Sequence, residues 1–108
     1  MSVTRTVLGW LRRRRQRYWR AVNVADTPDD LEDFCVYLIG EGRNRWYAVF
    51  ACPCGCDAPV SLSLHSAATP RWQCRHTVDG AVTLSPSVNR LGGCRSHFLI
   101  VGGFVHWV

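Results

Sequence analysis

RWYAVFACPCGC, residues 45–56, decides how this chain is read. Its first eight residues are mostly apolar and aromatic, as a half-buried strand requires. Its last five crowd three thiols onto a turn that Pro53 and Gly55 bend tightly. The same signals continue outward. FCVYLIG (34–40) and the tight-turn sequence EGRN (41–44) precede the segment and predict a hairpin with it. PVSLSLH (59–65) alternates cleanly, with Val60, Leu62 and Leu64 on one face. TPRWQCRH (69–76) and AVTLSPS (81–87) flank the turn VDG, and HFLIV (97–101) and FVHWV (104–108) surround Gly102-Gly103. The fold expected is mostly β, a small antiparallel sheet, sandwich or open barrel over residues 34–108.

Upstream the character changes. Residues 3–22 place Val7, Leu11, Tyr18 and Val22 at helical spacing, with Arg12 to Arg15 covering the rest, which predicts a basic amphipathic helix within 1–24. ADTPDDLED (25–33) reads as a linker. Seven of the 13 basic residues lie in positions 5–20, whereas residues 21–108 carry six arginines against eight acids. The pI near 9.2 therefore describes the N-terminal segment and not the β domain. No run approaches the roughly 18 apolar residues of a membrane span, and no apolar core of a secretory signal follows the first arginines. A cytoplasmic protein is expected, and in a reducing compartment clustered thiols bind metal more often than they form disulfides.

A chain of 108 residues buries a modest core, so a metal staple is physically useful. Cys52, Cys54 and Cys56 offer thiolates from one turn, and Cys94 and His97 form a C-x2-H pair on a second turn after Gly92-Gly93. Tetrahedral zinc takes sulfur and nitrogen donors of this kind, so one Zn2+ site is expected, with the choice among the three clustered thiols open. Cys35 and Cys74 fall in strand patterns and read as buried small hydrophobes. His65, His76 and His106 have no chelating partner nearby in sequence. A catalytic zinc would also need a general base, for which Glu41 in IGEG is the candidate, and Ser96 could assist at an oxyanion.

The segments YLIGEG, WYAVFACPCGC, VTLSPSV and CRSHFLIVGGFVHW together resemble a bacterial family of unknown function, over roughly residues 34–108. Its members are encoded beside ubiquitin-like modifiers and E1- and E2-like enzymes in antiphage operons. The resemblance implies a zinc peptidase that processes or removes a ubiquitin-like protein. It carries Glu41 to the family's Gly-Glu turn, the metal ligands to Cys52, Cys54, Cys56, Cys94 and His97, and Ser96 to a place beside them. Asp57 stands where many members have glycine. The other function class is a non-catalytic structural-zinc module that binds a protein partner, or nucleic acid through the arginine-rich helix.

Overall fold

Alternating apolar and polar residues become strands in the computed structural model, which describes residues 18–108. The first sheet holds β1 (Arg20–Val24), β2 (Cys35–Ile39), β3 (Tyr47–Ala51) and β4 (Pro59–Ser63) in that order. The second holds β5 (Gln73–His76), β6 (Val82–Asn89), β7 (His97–Val101) and β8 (Phe104–Trp107), again in sequence order. Every neighbouring pair is antiparallel except β1 and β2. The described residues are thus mostly β, in two small sheets and without a helix.

The parallel β1–β2 pair needs a crossover, and residues 25–34 supply it. Within that crossover the Glu32 N–H donates to the Tyr37 hydroxyl at 3.2 Å, tying the linker to β2. The run VYLI in β2 is buried at every position instead of alternating.

The N-terminal boundary differs from the sequence expectation. The predicted helix lies mostly outside the described residues, but its expected last positions, 20–24, form β1. Trp19 is 4% exposed and belongs to the core. Its backbone is bonded to the second sheet: the Trp19 N–H donates to the Gly103 carbonyl at 2.6 Å, and the Val82 N–H donates to the Trp19 carbonyl at 3.1 Å. RAVNV is rich in β-branched residues, and unpaired backbone beside a sheet edge favours a strand over the last turn of a helix. The β domain therefore begins well before residue 34.

The two sheets share one core. Val36, Leu38, Ala48, Phe50 and Leu62 of the first meet Val82, Leu84, Phe98 and Ile100 of the second. Ring contacts run through it: Trp19 to Phe50 at 5.7 Å, Phe50 to Phe98 at 6.2 Å, and Phe98 to Trp107 at 5.7 Å. Phe98 and Ile100 point inward, so His97 and Leu99, one residue out of phase, belong to the outer face of β7. This phase decides where the site lies.

Candidate functional site

Two turns meet at one end of the core. Cys52 ends β3 and is buried; Cys54 and Cys56 follow on the turn, where the Gly55 N–H donates to the Cys52 carbonyl at 3.2 Å. Asp57 closes that turn at φ 61°, in the left-handed region that glycine enters freely and Asp tolerates. Cys94 arrives from the turn between β6 and β7, where the Arg90 N–H donates to the Ser96 carbonyl at 2.8 Å. The sulfurs of Cys52, Cys54, Cys56 and Cys94 all lie within 4.8 Å of one another, and together they could hold a metal ion. The Cys52 sulfur is 3.4 Å from that of Cys54 and 3.6 Å from that of Cys94. These spacings are far above the roughly 2.05 Å of a disulfide. They sit close to the ~3.8 Å between two sulfurs bound tetrahedrally at about 2.3 Å from zinc.

The electrostatics of the cluster suit a cation. The Ser96 hydroxyl, 3.1 Å from the Cys94 sulfur, helps to hold that thiol down at about 6, and it lowers Cys54 as well. Cys56 accepts from the Ala58 backbone, which lowers it, yet the neighbouring thiols, Cys54 first, and desolvation together push it up to about 11. Close thiols titrate as a set, because like charges oppose complete ionisation until a cation arrives. Arg90 supplies one positive charge, its Nη1 lying 3.8 Å from the Cys56 sulfur and 3.7 Å from that of Cys94.

A different pair of residues meets on the outer face of the second sheet. From Leu84 to Val88, β6 advances four residues while its partner β7 moves only from Ile100 to Phe98, so β6 carries a bulge at Ser85-Pro86-Ser87. Pro86 has no N–H for the ladder, and bulges re-aim the side chains beside them. The Ser87 hydroxyl is turned to His97, and its Oγ lies 2.9 Å from His97 Nε2. The Trp72 indole N–H donates to the Ser87 carbonyl at 3.4 Å. His97 is the first residue of β7, paired with Asn89 and three residues beyond Cys94. With the proton on Nδ1, Nε2 accepts from the Ser87 hydroxyl, which is the contact between nucleophile and base that acyl transfer uses.

The expected site residues fall as follows. Cys52, Cys54, Cys56 and Cys94 come together, all three thiols of the first turn included. His97 is outside that group, because its strand phase turns the ring toward Ser87. Ser96 is engaged by the Cys94 sulfur. Glu41 lies in the exposed turn between β2 and β3, where its carbonyl accepts the Asn44 N–H. Cys52 is at the opposite end of β3, about 17 Å of strand away from Tyr47. Glu41 is thus out of reach as a base for water on a metal at the cluster. Ser87 was visible in sequence only as part of VTLSPSV. A proline inside a strand pattern, flanked by hydroxyls and followed eleven residues later by histidine, was the available signal.

A family model described as bacterial ubiquitination-like system serine protease (BubE) matches residues 23–108. No curated protein and no solved structure matches the chain. The pathway expected from the resemblance agrees with this description, and the catalytic type does not. The expectation of a zinc peptidase is corrected: the family is one of serine proteases. Among the described residues no helix is long and apolar enough to cross a membrane.

Proposed function

The chain belongs to the BubE family, and on that premise we propose that it is a serine peptidase acting on a ubiquitin-like protein or its conjugates. In this proposal Ser87 is the nucleophile and His97 its general base, and the work is done in the cytoplasm beside the conjugating E1- and E2-like proteins. The observation that carries it is the 2.9 Å contact between Ser87 Oγ and His97 Nε2 in a chain of serine protease family. His97 takes the hydroxyl proton as Oγ attacks the scissile carbonyl. It then gives that proton to the leaving amine, which leaves an acyl group on Ser87. Water, deprotonated by the same imidazole, releases the acyl group.

The four thiols form the second part of the proposal. Their donor set fits zinc: four sulfurs within 4.8 Å of one another, with no oxygen or nitrogen donor among them. Bound zinc supplies folding free energy by joining the two turns. The chain's own contribution is to hold the 90–96 turn, and therefore the start of β7, where His97 meets Ser87.

Labelling with a fluorophosphonate tests the active site. Wild type is expected to be labelled at Ser87. Ser87→Ala should lose labelling and peptidase activity while keeping its fold and metal content, and His97→Gln should slow labelling by about a thousandfold. Peptidase activity that survives Ser87→Ala would overturn the assignment.

A further inference from the structure

Four of the seven arginines in residues 18–108 line a single groove, although the same residues carry eight acids and are net negative. The groove, of about 480 Å³, lies along the edge strand β5. Arg71 and Arg75 come from that strand and the segment leading into it; Arg43 and Arg45 come from the β2–β3 turn. Leu64 and Trp72 form its apolar part. Arg45 is held in place by neutral partners, its Nε donating to Asn23 Oδ1 at 2.8 Å and its Nη1 to the Asn44 carbonyl at 2.9 Å. These bonds orient the guanidinium without cancelling its charge. The lining contains no carboxylate; five of the eight acids stand instead in the 26–33 crossover.

We infer that this groove docks an acidic segment of the polypeptide that Ser87 cleaves. The inference rests on the proposed active site, because one residue joins the two: Trp72 lines the groove and its indole N–H holds the Ser87 carbonyl. Several guanidinium groups converging on one surface raise the local concentration of an anionic ligand and fix its carboxylates by paired hydrogen bonds. The apolar floor at Leu64 and Trp72 accommodates an ordinary peptide backbone and its aliphatic carbons. An acidic polypeptide is favoured over a nucleic acid because the groove presents one partly buried ring, Trp72, and not a row of stacking platforms.

The test uses the full chain with two probes. The first is a fluorescein-labelled octaglutamate peptide read by anisotropy, with octaserine as control. The second is a fluorophosphonate carrying a tetraglutamate or a tetraserine tail. Octaglutamate is expected to bind in 50 mM salt and to weaken at least tenfold at 300 mM. A loss of the same size is expected in R71E/R75E and in R43E/R45E. The tetraglutamate tail should speed labelling of Ser87 at least tenfold over tetraserine, and that advantage should vanish in both variants. A tail-free fluorophosphonate should label variants and wild type alike, which shows that they are folded. Equal binding of octaglutamate to wild type and variants, or tighter binding of octathymidine at the same arginines, would overturn the inference. Failure of every fluorophosphonate to label wild type counts against the active site, and the anisotropy then judges the groove alone.

Discussion

Withdrawing metal from the four-cysteine cluster is the perturbation whose size the geometry sets most directly. Two sulfur pairs, at 3.4 and 3.6 Å, lie within a few tenths of an ångström of the ~3.8 Å of a tetrahedral zinc–thiolate set, and with all four sulfurs within 4.8 Å of one another no pair has to close by more than about 1 Å. A ligand bound only by the folded state stabilises it by about 2.7 kcal/mol at a free concentration one hundred times its Kd. For a domain of this size each kcal/mol moves Tm by roughly 4–8 °C, so zinc at that concentration should raise Tm by about 10–20 °C over chelated protein. The assay is differential scanning calorimetry across a series of buffered free-zinc concentrations, with the accessible thiols counted by Ellman's reagent. Loaded protein should protect Cys52, Cys54, Cys56 and Cys94 together. Labelling of Ser87 should slow on chelation, because the turn that leads into His97 is then held only by its Arg90–Ser96 and Arg95–Gly92 backbone hydrogen bonds and by strand pairing. A Tm indifferent to zinc, with all four thiols reactive throughout, would refute metal binding. A Tm that responds while Ser87 labelling does not would refute the link between the staple and the active site.

Three further outcomes follow from single contacts. Trp72→Phe keeps the ring but removes a long hydrogen bond to the Ser87 carbonyl, worth about 0.5–1 kcal/mol, so labelling of Ser87 should slow about two- to fivefold with the fold intact; stopped-flow or gel-based rate constants read it. Gly103→Ala should cost about 2–3 kcal/mol in urea unfolding, because Gly103 sits at φ 91° and a Cβ there would meet the Tyr18 side chain at 2.8 Å. Burial pushes the Cys74 thiol from the ordinary value near 9 up to about 11. Below pH 9 both folded and unfolded chains keep this proton. Between pH 9 and 11 the unfolded chain loses it first, so stability should fall by about 2 kcal/mol in wild type relative to Cys74→Ala, measured by urea midpoints at pH 8 and 10.5.

Most of the strands were legible because period-two alternation and turn chemistry agree along residues 34–108. EGRN, VDG and Gly102-Gly103 mark three of the five hairpins, and each predicted run overlaps an observed strand. The parallel β1 was not legible, for a physical reason. Tyr18, Trp19 and Val22 satisfy a helical stripe, and only the neighbouring edge of β2, far away in sequence, makes a strand the better use of the same residues. The cysteine cluster was legible as chemistry but not as a set. Spacing along the chain says that thiols are close, whereas the exclusion of His97 depends on strand phase at β7, where Phe98 takes the inward position. Ser87 was hidden for a related reason. A bulge changes which residue faces which, and nothing local to Ser-Pro-Ser says which of its two hydroxyls meets a histidine from the next strand.

The two clusters are better understood as one arrangement than as rival sites. An outer-face serine proposed as nucleophile on a bulged strand has no core packing of its own to fix it, since Ser87 and His97 alternate with the residues that do pack, Val88 and Phe98. Precision must then come from the ends of the strands. At one end Trp72 holds the Ser87 carbonyl; at the other the turn before β7 is tied to the end of β3 through Cys94 and Cys52. Four sulfur donors fill a tetrahedral metal and leave it no open position, which suits a joint between turns and not a Lewis acid. In a domain this small, a joint of that kind does what a larger core would do elsewhere. In the proposed peptidase cysteine is therefore kept for architecture, and the reacting hydroxyl is left to a serine whose surroundings the architecture holds still.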